Sequence, residues 1–416
     1  MRLRELSLRG ELTFFAAVSC ITILALYIHW LPPFMILWGL FWILQNGIGS
    51  RDDTNLNNKH FVLFLLFMVL LLWQTGELIL ADSFKDGFER IFKRLSMFLF
   101  PLVLFSPGFK IKNNITLILK IFAISIFFYL LYCFGNALHN SLIFKDGKLV
   151  FNAYHELYTY ESFFMGARLS DAVHPTYLAM YVLLSVIISF ESYLDTSLSL
   201  IRRYLWLCGF LFFTIVIYLL SSRAGVLAAF IILPFYFTAR FYKRFSKFII
   251  ILIVAVVLSG GVVLIKTNDR LKYSLEDISS TGLSGTLNKD SRYTIWKSAI
   301  GVIKQNMLVG VGTGNASRDL KKEFIRRGYT EGYYEDLNAH NQFLEILLEN
   351  GITGFVIFIS LLGFLIYAAI AEKNLFLFLF VIMMFIFFMF ESVLNRLAGI
   401  TFFPLFSFLL MYYKRI

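Results

Sequence analysis

The stretch Asn338-Ala-His340-Asn341-Gln-Phe343-Leu344-Glu345-Ile-Leu347-Leu348-Glu349-Asn350-Gly351-Ile352-Thr-Gly354 carries a polar head straight into a hydrophobic run that opens at Ile352. His340, Phe343, Leu344, Leu347 and Leu348 recur at helical spacing, so one face is apolar, while Glu345 and Glu349 sit four apart on another. The pattern predicts a helix entering a membrane, with a histidine held at the boundary between water and lipid. Imidazole is the side chain that exchanges protons near neutral pH, so a histidine there can serve a substrate; it can equally be a cap or an interface group.

Working outward from Ile352, the apolar run is one of many. Of the 416 residues 58% are apolar, 48 are Phe and only 16% are charged. Runs of roughly 17 to 25 apolar residues are the length that crosses a bilayer. They fall near 12–29, 33–49, 61–80, 95–108, 115–138, 175–194, 203–221, 224–240, 247–265, 351–371, 375–391 and 397–413. The expected fold is therefore an all-α polytopic membrane protein of about twelve transmembrane helices. Residues 1–265 would form a membrane domain of nine spans with a smaller outer loop at 139–174, residues 266–350 a large, partly helical outer loop, and residues 351–416 the last three spans. The segment 95–108 is short, contains Pro101 and follows an amphipathic stretch, Ser83 to Arg94, suited to lying along the interface. Arg2, Arg4 and Arg9 run directly into Leu12 without a small-residue cleavage pattern, which predicts a retained first span. Cys20, Cys133 and Cys208 all lie in apolar runs, away from any disulfide or zinc pattern.

The formal charge of +11 would suggest nucleic acid in a soluble protein, but here basic residues set topology and no nucleic-acid partner is expected. With both ends inside, the short inner segments hold Arg2, Arg4, Arg9, Arg51, Lys59, Lys110, Lys112, Arg202, Arg203, Arg240, Lys243, Arg244, Lys247, Lys373, Lys414 and Arg415. That makes sixteen, against nine on the short outer segments. The cluster from Arg240 to Lys247 turns the long segment 266–340 outward, to the periplasmic side of a bacterial inner membrane.

Two outer segments are long. The first, 139–174, is aromatic and polar and ends in Arg168-Leu-Ser-Asp171-Ala-Val-His174-Pro175-Thr176-Tyr177, a surface that suits sugar rings or interfacial anchoring. The second holds two expected helices. One runs from Arg292 to about Gln305, capped by Ser291, with an apolar stripe at Trp296, Ala299, Ile300 and Ile303; the other runs from Ser317 to Arg327. Gly310, Gly312 and Gly314 between them lack the Gly-Lys-Ser/Thr of a phosphate loop and read as a turn.

Ionisable residues cost most at mid-membrane. Glu77, Arg168, Asp171, His174, Arg223, Arg292, His340, Glu391 and Arg396 all fall at or beyond outer span ends, so the polar work is expected at the outer face rather than along a transport path. Arg223 sits in Ser221-Ser222-Arg223-Ala224-Gly225, between two apolar runs with almost no loop. A guanidinium so placed can bind an anion at the headgroup level through its rigid fork, or simply snorkel to lipid. Arg292 heads a helix, where the dipole disfavours a cation unless a ligand anion is present.

Taken together, Ser221-Ser222-Arg223-Ala224-Gly225, Ser291-Arg292-Tyr293-Thr-Ile-Trp296, Gly310-Val-Gly312-Thr-Gly314, His340-Asn341-Gln-Phe-Leu344-Glu345 and Gly351-Ile-Thr-Gly354 resemble the O-antigen ligase superfamily over roughly residues 160 to 400. The resemblance implies a GT-C-like membrane glycosyltransferase. Such enzymes move a glycan from an undecaprenyl-pyrophosphate carrier to an acceptor hydroxyl, lipid A-core in the ligases and protein or another glycan in their relatives. It also implies His340 as the base or acceptor-orienting group, Arg223 and Arg292 as the pyrophosphate clamp, and Arg168, His174, Asn341 and Arg396 as substrate-binding groups. Thr176 stands where the family commonly has Asn. The outer loops contain no Asp-x-Asp, so transfer without metal or other cofactor is expected. Glycan ligase, protein O-oligosaccharyltransferase and O-antigen polymerase all remain compatible with these residues.

Overall fold

The computed structural model describes residues 2–46, 58–105, 109–145, 147–154, 162–241 and 292–413; the expected span at 247–265, the cluster from Lys243 to Lys247 and the Ser291 cap lie outside them. Contacts divide the chain into two units. The first draws on residues 1–20, 30–115 and 277–416, the second on 21–29 and 116–276. Among the described residues seven helices are long and apolar enough to cross a membrane, and three further apolar helices are shorter.

In the first unit the core helices are α2 (Leu31–Asn46), α3 (Asn58–Gly76), α5 (Ser96–Phe105), α15 (Gln342–Ala371), α16 (Leu375–Phe390) and α17 (Leu397–Met411). Polar clusters mark opposite ends of α3. At one end Lys59 bridges Glu372 at 3.0 Å, His60 stacks on Tyr412 and Lys112 lies over the Tyr412 ring. Lys59, His60, Lys112 and Glu372 belong to expected inner segments, and Tyr412 to the adjoining end of the last expected span. At the other end Trp73 and Gln74 of α3 bond to Asn350, and Thr313 Oγ1 donates to Glu77 at 3.1 Å.

Within the expected span 95–108, α5 covers Ser96–Phe105, about 15 Å of rise against a hydrocarbon thickness of about 30 Å. It nevertheless tracks α17 along its length. Ser96 Oγ donates to Ile400 O near the start of α17, and Tyr412 Oη, just past its end, donates to Phe105 O. Ahead of it, α4 (Phe84–Lys93) is the expected amphipathic helix, capped by Ser83, whose side chain accepts from Asp86 N.

The opening stretch departs from the expected single helix in two ways. His340 has φ +44° and precedes the helix instead of lying on its apolar face; Asn341 is the cap, its Oδ1 accepting from Phe343 N and Leu344 N. The helix then breaks at Gly351, with φ +60° and ψ −164°, a region open essentially to glycine alone. A break in a buried stretch of helix strands backbone groups that need partners. The glycine turn satisfies them: Val311 N and Gly312 N donate to Leu348 O and Glu349 O at 2.9 Å, and Met307 O accepts from Ile352 N at 2.8 Å. Gly310, Gly312 and Gly314 all have positive φ, and a Cβ on Gly310 would strike the Glu349 carbonyl. The turn is thus a support for the break.

Gly351→Ala is expected to lower stability by at least about 1 to 3 kcal/mol through conformation alone, with further loss because the new Cβ meets the Leu308 carbonyl. Gly363→Ala, in the same helix with open space at its Cβ, should be neutral or mildly stabilising. Melting of the detergent-solubilised protein compares them; equal melting temperatures would overturn this reading.

Around the turn, α12 (Arg292–Gln305) and α13 (Ala316–Arg326) pack on an apolar cluster of Ile295, Ala299, Val302, Ile303, Leu320 and Phe324. The buried stripe of α12 is therefore 295/299/302/303, and Ile300 is exposed, correcting the expected face by part of a turn. A short α14 (Thr330–Tyr334) follows α13.

The second unit holds α7 (Ile115–Ser141), α8 (Gly166–Ser170), α9 (Pro175–Leu194), α10 (Leu200–Leu219) and α11 (Arg223–Phe241). The all-α expectation needs one amendment here: β1 (Leu142–Lys145) and β2 (Lys148–Phe151) pair antiparallel around Gly147, whose φ is +73°. An Asp-Gly pair between short β-prone runs is a hairpin signal that hydropathy conceals.

Candidate active site

The site in the first unit is built where the 338–345 segment meets the connection from α16 to α17. Three hydrogen bonds lock that junction. Asn341 Nδ2 donates to Met389 O at 3.1 Å, Gln342 Oε1 accepts from Leu394 N at 2.6 Å, and Glu345 Oε1 accepts from Asn395 Nδ2 at 2.7 Å. Glu345 Oε2 also accepts from Ala339 N at 3.0 Å and Ser392 Oγ at 3.3 Å. Glu345 and Glu349 are thus both buried polar anchors.

This framework presents His340. Asn338 Oδ1 accepts its backbone N–H at 2.9 Å, and its Nδ1 lies 3.1 and 3.3 Å from the two oxygens of Glu391. An ionised carboxylate only accepts, so in the neutral ring the Nδ1 carries the proton and Nε2 carries the lone pair. The imidazole is one-quarter to one-third exposed, and Glu391 is buried. Next to this pair, the Arg292 guanidinium stacks over the Phe390 ring at 5.7 Å. Two sequence candidates, His340 and Arg292, thus converge on consecutive residues, Phe390 and Glu391. Glu391 is the partner that sequence reasoning did not select. Its signal was its place directly after the sixteen-residue apolar helix α16, as an acid ending an otherwise uncharged run.

Asn341 and Arg396 also lie at this junction, with different roles. Both ends of the Asn341 carboxamide are engaged, in capping and on Met389 O, which gives it a positioning function. Arg396 is exposed at the N-cap position of α17.

Arg223, Arg168 and His174 belong to the second unit. Ser221, with φ +49°, turns the chain out of α10, and Ser222 Oγ accepts from Gly225 N at 3.2 Å, which makes Arg223 the first residue of α11. Gly225 is needed because a Cβ there would press on Ala179 of α9. Arg223 and Arg292 therefore share a setting, a guanidinium at a helix N-terminus, where backbone dipole and side chain favour the same anion. Arg168 is exposed on α8. His174 caps α9 through Nδ1, which accepts from Thr176 N at 3.3 Å, ahead of Pro175 in the first helical turn. Its structural role accounts for the His-Pro pair without a ligand.

A helical polytopic membrane protein with a carboxylate-held imidazole at one end of its helices is defined by these observations. Residues 208–359 match the family model described as O-antigen ligase, which supports the resemblance to the O-antigen ligase superfamily of membrane glycosyltransferases over that stretch. Arg223, Arg292 and His340 lie inside the matched stretch; Arg168, His174, Glu391 and Arg396 lie outside it. No curated protein matches the chain.

Proposed function

We propose that the protein joins a glycan, carried on undecaprenyl pyrophosphate, to a hydroxyl of lipid A-core at the periplasmic face of the inner membrane. The observation that carries this reading is the His340–Glu391 pair beside Arg292, within and next to the matched domain. The acceptor O–H gives its proton to Nε2 of His340, its oxygen bonds to the anomeric carbon from the face opposite the leaving group, and the bond from that carbon to the carrier phosphate breaks. Undecaprenyl pyrophosphate leaves with the electron pair, its added charge balanced by Arg223 and Arg292. Glu391 keeps the imidazole in the reactive tautomer and stabilises the imidazolium. Lipid-anchored donor and acceptor both bring their reacting groups to the headgroup level, where these side chains are expected.

The test is transfer by the purified protein from undecaprenyl-pyrophosphate-linked glycan to lipid A-core. Activity should survive EDTA and fall at least tenfold in Arg223→Lys, because a point charge does not replace a bidentate fork. Loss on chelation with recovery on adding Mg²⁺ would sink metal-independent transfer. In cells, deletion of the gene should leave glycan on the carrier; shortened polymer instead would assign the protein to polymerisation.

A further inference from the structure

A second polar chamber shares the 336–345 segment with the His340 site. It has a volume of about 220 Å³ and is lined by Arg90, Lys93, Arg94 and Arg396 together with Asp336 and Glu345. Both carboxylates are already engaged. Glu345 accepts from Ala339 N, Ser392 Oγ and Asn395 Nδ2, and Asp336 bridges Lys321 at 3.0 Å while accepting from Ser317. Behind the wall, Glu349 holds one nitrogen of Arg90 and one of Arg94. With Lys321, five cations stand against three carboxylates.

One donor belonging to a lining side chain is left over, directly behind the chamber wall. Arg94 is 5% exposed, and its Nη1 has no hydrogen-bond partner. A buried guanidinium N–H without an acceptor is costly, and such groups in native structures call for a ligand or water. The chamber's depth relative to the bilayer follows from α4. Phe84, Phe88 and Phe92 form an exposed ladder on that helix, with ring centroids 6.1 and 6.5 Å apart, while Arg90 and Arg94 fall on the opposite side by helical spacing. An exposed aromatic face backed by cations is the make-up of a helix lying in the membrane surface, so its arginines meet the headgroup layer.

We propose that this chamber binds a phosphate group of a lipid-anchored substrate, with Arg94 Nη1, Lys93 and Arg396 as its donors. The choice of lipid rests on the transfer reading above: the phosphate is either the diphosphate of the carrier or a phosphate on the acceptor lipid.

The test measures binding to the full-length protein in detergent micelles, with undecaprenyl pyrophosphate, lipid A, and lipid A stripped of its phosphates as probes. Two variants are compared with wild type. Arg94→Lys keeps a cation for Glu349 but withdraws the spare guanidinium N–H; Lys93→Gln/Arg396→Gln alters only exposed residues. Both should bind the cognate phosphate lipid about tenfold or more weakly, the scale of one charge-assisted hydrogen bond, and stripped lipid A should bind all three proteins alike. Weakening confined to undecaprenyl pyrophosphate assigns the chamber to the carrier, and weakening confined to lipid A assigns it to the acceptor. Unchanged affinity of Lys93→Gln/Arg396→Gln for both lipids overturns the proposal, even where Arg94→Lys fails to fold. Binding is read without transfer, so the two readings fail separately. Weakened binding in the variants beside a wild type that transfers nothing removes only the transfer reading, and normal transfer with unaltered variant binding removes only the chamber.

Discussion

His340→Gln is expected to lower the rate of glycan transfer at least a hundredfold while leaving the protein folded and donor binding intact. The imidazole is positioned by backbone strain and by a carboxylate, two devices that a merely space-filling histidine would not need: φ is +44°, and Nδ1 faces both oxygens of Glu391. Glutamine preserves a donor toward Glu391 but has no basic nitrogen to present to an acceptor hydroxyl. General-base assistance is typically worth about 10² to 10⁴ in rate, which sets the size of the effect. The comparison needs transfer rates normalised to folded protein, across pH, for wild type, His340→Gln and Glu391→Gln. Glu391→Gln should fall between the other two, because the base survives but its tautomer is no longer fixed. A His340→Gln variant that keeps more than about a tenth of the wild-type rate would remove the base role and leave His340 as an orienting group only.

The sequence made some of this arrangement legible and concealed the rest for physical reasons. Hydropathy marked where spans end, because lipid forces apolar composition on every span; Lys59 with Glu372 and Glu77 with Thr313 lie at opposite ends of α3. The glycine run was recognisable as a turn, since no other residue takes three positive φ angles so closely spaced. What the turn supports was not recognisable, because Gly351 lies at the junction between the polar head and the apolar run from Ile352, where a single glycine without a proline says nothing of a break. The same limit hid the site's partners. Glu349 pairs with Arg94 across 255 residues, and His340 with Glu391 across 51, distances over which no helical period operates. Glu345 and Glu349 read only as two residues of one further face for that reason: local spacing reports which residues share a side, not what arrives to cover it. Asn341 and His174 show the converse, polar residues beside helix starts whose capping roles answer the pattern that first suggested ligands.

Glu349→Gln is expected to be the most damaging substitution for stability among the charged residues of the first unit. Glu349 is 1% exposed and joins α15 to Arg90 and Arg94 at the end of α4. Removing one partner of a buried pair costs about 3 to 5 kcal/mol, because the remaining charge stays out of water without compensation. Arg90 is a quarter exposed and can turn outward, but Arg94 is buried and already has one unsatisfied nitrogen, so the loss falls on Arg94. Lys59→Gln provides the contrast. Its bridge to Glu372 is about thirty per cent exposed on both sides, a setting in which ion pairs contribute about 0 to 1 kcal/mol. Folded yield and melting temperature in detergent should therefore drop sharply for Glu349→Gln and barely change for Lys59→Gln. The double variant Arg94→Leu/Glu349→Leu separates charge burial from simple loss of contact. If the stranded cation is what destabilises, removing it as well should recover part of the loss, so that the double variant melts above Glu349→Leu alone. If the double variant melts lower than either single one, the pair acts through packing between α4 and α15, and the electrostatic account of this anchor is wrong.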